Sequence, residues 1–179
     1  PAALRRAVEA LLDGRYLAAR TLALYVMRAH PTEPLPRYLA AVAALVETGA
    51  PAAFARTLVE GGPRSEGSWS GASGATALDE RTARALRIAY DAPLSSQAHV
   101  RAADSLAAVH ASVLEALELS VAVRLDSTRA GEALRLGRAL AERMPAAARR
   151  AFALASAAGA PEAIAQAARR EAATLPPVH

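Results

Sequence analysis

Leu154-Ala155-Ser156-Ala157-Ala158-Gly159-Ala160-Pro161-Glu162-Ala163-Ile164 is the stretch that decides the fold. An alanine-rich apolar run reaches a Gly-Ala-Pro tripeptide, and a second run starts just past it. Glycine accepts the left-handed backbone that closes a helix. Proline suits the opening of the next helix, where its missing N–H costs nothing. The stretch reads as a tight joint between two antiparallel helices. The same tripeptide stands at Gly49-Ala50-Pro51, again between alanine-rich runs. Two such joints make the chain a stack of helical hairpins.

Composition supports the same reading. Alanine supplies 50 of the 179 residues and leucine 23, while aromatics make up only 4%. Alanine is the best helix former. Valine and isoleucine are sparse, and no useful stretch alternates with period two, so no sheet is expected. All 21 basic residues are arginine, which fits a GC-rich bacterial genome and excludes lysine modification. The formal charge of +4 is spread evenly: residues 1–100 hold 11 arginines and 9 acids, residues 101–179 hold 10 and 8. Nucleic-acid binders concentrate basic charge in a stripe, so this distribution argues against nucleic acid as a partner. Arg138 with Glu142 and Glu132 with Arg135 have the spacing of solvated helix pairs. Cysteine is absent, which excludes disulfides and thiol chemistry. No apolar run reaches membrane-spanning length, and Pro1–Gly14 lacks the unbroken apolar core of a signal peptide. The expectation is a cytoplasmic protein without a membrane partner.

Apolar spacing predicts about nine helices. The first four cover 2–12, 16–29, 36–47 and 51–60, with Leu4, Val8, Leu11 and Leu12 facing inward on the first and Tyr16, Ala19, Ala23 and Val26 on the second. Tyr38, Ala41, Val42 and Leu45 share a face of the third. Half of the ten glycines then fall within 61–74, a stretch too poor in apolar side chains to offset the entropy of ordering it; 61–78 reads as a flexible loop. Asp79 caps a helix reaching Tyr90. From about 97 to 124 runs the longest helix, in which Val100, Ala103, Ala107, His110, Leu114, Leu117 and Val121 recur in steps of three and four. That heptad-like seam suits a central strut of roughly 40 Å or a homodimer interface. Helices at 129–143, 146–157 and 162–174 complete the chain. The domain reading is 1–60, the 61–78 loop, and 79–179, which can pack with 1–60 as one domain.

Gly14, Tyr16, Ala19 and Pro31 share the spacing of the second helix of the tetratricopeptide repeat, which opens Gly-x-Tyr-x-x-Ala and reaches a proline seventeen residues after its glycine. Gly159 to Pro176 and Thr128 to Pro145 repeat that interval, with Ala133 at the alanine place. Tyr38 falls where the family favours a bulky aromatic. The chain resembles a degenerate tetratricopeptide-like domain, with Ala7 and Arg6 departing from the family's opening helix. The resemblance implies a hairpin stack that binds a peptide or protein on its concave side, without catalysis.

Candidate sites follow from residue chemistry. His99 and His110, eleven residues apart on one helix, stand about 16 Å apart and cannot share a metal ion. The glycines of 61–74 follow no strand and precede no Gly-Lys-Ser/Thr, so they form no phosphate loop. Ser68, Ser70 and Ser73 have no histidine and acid in order nearby to activate them. No catalytic residue, metal ligand or cofactor site is expected. The partner-contact candidates are Tyr38, the single tryptophan Trp69, and Arg149 with Arg150, which can join Arg169 and Arg170 in one basic patch. The sequence favours a non-enzymatic scaffold module binding a protein or peptide. Its alternatives are a helical regulatory domain of a transcription or signalling system and a small-ligand-binding helical domain.

Overall fold

The computed structural model describes residues 2–31, 33–48, 78–157 and 159–177. All the elements among them are helices: α1 (Ala2–Leu12), α2 (Tyr16–Ala29), α3 (Pro34–Thr48), α4 (Glu80–Asp91), α5 (Ser96–Ala108), α6 (Ser112–Leu125), α7 (Ala130–Leu140), α8 (Pro145–Ala155) and α9 (Glu162–Thr174). The all-helical fold is as expected. The chain forms two compact units, Pro1–Tyr90 and Asp91–His179. The helix read as opening the second half, α4, thus groups with the first unit. The Gly49-Ala50-Pro51 joint, the 51–60 helix and most of the 61–78 loop lie outside the described residues.

In the first unit α2 packs against α1 on one side and α3 on the other. Leu4, Ala7, Val8, Leu11 and Leu12 supply the buried face of α1, and Ala19, Ala23 and Val26 that of α2. On α3 every residue from Leu35 to Val46 is buried, as expected of a helix apolar all round. Arg37 is buried in the same run, and its Nη2 donates to the Pro31 carbonyl at 3.0 Å. Asp79 caps α4 as its position implied. Its carboxylate accepts from the amides of Arg81 and Thr82, each at 3.0 Å, and from the Thr82 hydroxyl at 2.6 Å.

In the second unit α6 lies between α5 and α7, α7 pairs with α8, and α9 packs on both α7 and α8. The α7–α8 crossing is close because Gly137 faces the Phe152 ring: a Cβ there would stand 2.4 Å from Cε1. Arg135 ties three helices together, donating to Asp104 of α5 at 2.5 Å and to Glu115 of α6 at 2.8 Å. Ser95 caps α5 by accepting from the Ala98 amide at 3.2 Å. Gly159 adopts φ +90°, the left-handed turn expected ahead of Pro161.

One expectation fails. The single long helix over 97–124 is a hairpin, α5 and α6, folded back at 109–111. The Ala111 amide bonds to the Leu106 carbonyl and the His110 amide to the Ala107 carbonyl, each at 3.0 Å. Those two bonds define a Schellman helix end, with His110 at φ +58° in the place glycine usually holds. The α1–α2 turn uses the same pair of bonds, Arg15 amide to Ala10 carbonyl and Gly14 amide to Leu11 carbonyl, around Gly14 at φ +78°. Val100, Ala103, Leu117 and Val121 of the expected seam are buried within the unit, while His110 is exposed at the turn. The continuous 40 Å face does not exist.

Candidate functional site

The two units offer three features with chemical character. The first is the outer face of α2. Because the small side chains Ala19 and Ala23 face its neighbours, the large ones at Leu17 and Tyr25 point outward, 68% and 69% exposed. Thr21, also exposed, stands midway between them. The three form one row at i, i+4 and i+8, about 12 Å long. Two turns on from Thr21, Arg28 is exposed at the helix end and forms no ion pair among the described residues. The other arginine of α2, Arg20, reaches Glu47 at 3.7 Å.

The second feature is a cleft of about 390 Å³ in the Asp91–His179 unit, between the end of α7, the start of α6, α8 and the end of α9. Phe152 and Leu175 supply apolar lining; Ser112, Glu142 and Arg143 supply polar groups. One wall is closed by Arg138 and Glu171: the Arg138 Nε and Nη2 both donate to the carboxylate, at 2.9 and 2.6 Å. That bond from Arg138 holds the Glu171 carboxyl below the ordinary range, against a smaller desolvation effect. Glu142 and Arg143 form no ion pair among the described residues and sit exposed at the rim. The lining residues include no histidine or cysteine to activate Ser112. The cleft has the size and charges to hold a small zwitterion.

The third is a buried pair. His99 of α5 and Glu118 of α6 are both fully buried, with Nδ1 and Oε2 2.6 Å apart. His99 Nε2 donates to the Pro93 carbonyl at 2.8 Å, and a carbonyl only accepts, which fixes hydrogen on that nitrogen. The pair pins the 92–95 turn and α5 to α6.

The partner-contact candidates are scattered. Tyr38 is fully buried, its ring tilted against Tyr90 at 6.2 Å between centroids. Trp69 lies outside the described residues. Arg149 turns onto its own chain, Nη2 donating to the Leu175 carbonyl at 3.0 Å and also to the Pro176 carbonyl. Arg150 is exposed, and Arg169 reaches Glu162 at 3.6 Å. Arg149 thus acts as a tether for the segment after α9. The row on α2 has no motif to announce it. Its signal is that α2 carries large apolar side chains outside its alanine face.

Among the described residues, no group of three His, Cys, Asp or Glu side chains could hold a metal ion, and no helix is long and apolar enough to cross a membrane. No family model, no curated protein and no solved structure matches the chain.

Proposed function

We propose that the chain is a non-enzymatic, tetratricopeptide-like interaction module that binds a protein or peptide partner. The observation that supports this is the ladder of helices. In each unit a helix packs on the one before and the one after, as in solenoids that present extended binding surfaces. The seventeen-residue intervals Gly14–Pro31, Thr128–Pro145 and Gly159–Pro176 each bracket one helix, namely α2, α7 and α9. Affinity purification of the full chain from its native cell, followed by size exclusion, tests the reading. A partner that co-elutes in fixed ratio is the expected result. A chain that elutes alone and monomeric overturns it.

A second reading, a small-ligand-binding domain, is supported by the cleft of about 390 Å³ with Glu142 and Arg143, which form no ion pair among the described residues, at its rim. It predicts that a free amino acid raises the melting temperature of the protein and that Arg143→Ala abolishes the rise. No rise with any amino acid refutes it.

A further inference from the structure

One border of the cleft is the strap of chain after α9. Past Thr174 the backbone of Leu175 is extended, at φ −70° and ψ 143°, as a residue before proline prefers. Pro176 and Pro177 follow, and neither has an N–H to donate. Arg149 of α8 holds this strap, its Nη2 donating to the Leu175 carbonyl at 3.0 Å and to the Pro176 carbonyl. That arrangement uses the guanidinium poorly. Two neutral carbonyls share one nitrogen, while Nη1 is buried with no hydrogen-bond partner among the described residues. A buried donor without an acceptor is costly, and folded proteins hold few of them. A carboxylate can engage both nitrogens at once, through charge-assisted bonds roughly twice as strong as those to neutral acceptors.

The strap also separates Arg149 from the cleft. Leu175 and Phe152 both line the cleft, and Arg149 does not. Yet Phe152 is only three residues further along α8, which places it beside Arg149 on the helix surface. With the strap aside, the guanidinium joins the cleft wall. We propose that Arg149 is a carboxylate site of the cleft, masked by its own chain, and that the cleft takes an acidic amino acid. Glu142 and Arg143 at the rim receive the ammonium and the α-carboxylate. The side-chain carboxylate displaces the Leu175 and Pro176 carbonyls from Arg149. The strap is thus an internal stand-in for the ligand, released as the ligand binds. The proposal rests on the small-ligand reading and deepens it by naming the ligand class.

The test compares each acidic amino acid with its amide, which has nearly the same shape and no second carboxylate. Glutamate and aspartate should raise the melting temperature of the full chain more than glutamine and asparagine do. Arg149→Gln should remove that difference and keep the smaller rise with the amides. Arg149→Lys keeps the charge without the fork and should retain only part of the difference; if Arg149→Gln loses the wild-type circular dichroism, Arg149→Lys carries the comparison. Strap release is read separately. The chain has no cysteine, so Leu175→Cys supplies a single thiol. Its reaction with a maleimide should accelerate several-fold with glutamate and not with glutamine, and should be fast without any ligand when Arg149→Gln is added. Equal rises with glutamate and glutamine overturn the proposal and leave the small-ligand reading standing. A thiol that glutamate slows or leaves unchanged does the same. No rise with any amino acid removes both.

Discussion

Gly137→Ala is the sharpest probe of the second unit, because helix propensity and packing pull in opposite directions. Exchanging glycine for alanine inside a helix gains about 1 kcal/mol from propensity alone. Against this, the new methyl would stand 2.4, 2.5 and 2.9 Å from three atoms of the Phe152 ring. Carbon atoms rest at about 3.5–4.0 Å, so the ring or the helix must move by more than about 1 Å. The ring is only 2% exposed, and its one open side is the cleft that it lines. Overpacking a filled core costs roughly 1–3 kcal/mol, and three simultaneous clashes place this site at the upper end. The net expectation is a loss of about 2 kcal/mol, close to a thirtyfold change in the local opening equilibrium. Hydrogen exchange read by mass spectrometry over α7 and α8 measures that change in the intact chain. Phe152→Leu shortens the ring's reach, so the double variant should be more stable than the sum of the two single losses by about 1–2 kcal/mol. If Gly137→Ala instead raised protection in α7 and α8, the close crossing at Gly137 would be refuted.

Three further outcomes follow from particular residues. His110→Gly removes a side chain from the left-handed region and should raise the stability of the α5–α6 hairpin by about 0.5–1 kcal/mol, while His110→Val should lower it by more than about 1 kcal/mol; exchange protection in those two helices reads both. Glu118→Leu leaves His99 buried without its partner and should cost about 3–5 kcal/mol, whereas Glu118→Leu with His99→Leu should recover most of it, as apolar replacements of buried pairs do; denaturation midpoints compare the three proteins. The Thr82 hydroxyl, then its amide, hold the Asp79 carboxyl below its ordinary value. A depressed acid stabilises the folded state above its unfolded value, about pH 3.9, and that stability is lost as pH falls through the folded value. Acid should therefore fray the start of α4 in the wild type, and Asp79→Asn should flatten that dependence, seen by NMR of the Arg81 and Thr82 amides.

Helix boundaries could be read wherever a chemically special residue sits at the end. Asp79, Ser95 and Pro145 open α4, α5 and α8 at the places their side chains imply, and Gly159 closes its turn with the left-handed backbone only glycine adopts freely. The α5–α6 turn has no such mark. Ala107-Ala108-Val109-His110-Ala111 contains neither glycine nor proline, and each of its residues suits a helix interior. What ends α5 is tertiary. The buried His99–Glu118 pair and the Arg135 ties to Asp104 and Glu115 hold α5 and α6 side by side, and His110 takes the left-handed place because the hairpin requires it. An apolar period of three and four describes one long seam and two helices packed face to face equally well. Only contacts between residues distant in sequence, here 99 with 118, distinguish the two.

The candidate site was less legible, for a reason that lies in alanine. On α3 every position from Leu35 to Val46 is buried, so apolar spacing could not reveal whether Tyr38 faced a partner or the core. On α2 the spacing finds Ala19, Ala23 and Val26 of the buried face but also expects Tyr16 there, which is only half-buried, and it leaves Leu17 and Tyr25 unassigned. Size carries the missing information. A helix wedged between two neighbours approaches both most closely through its smallest side chains, and bulky ones at the same contact would hold α1 and α3 apart. On α2 the small side chains Ala19 and Ala23 turn inward, and Leu17 and Tyr25 stand on the outside. The usual rule, that the largest apolar side chains mark the core, is reversed for α2.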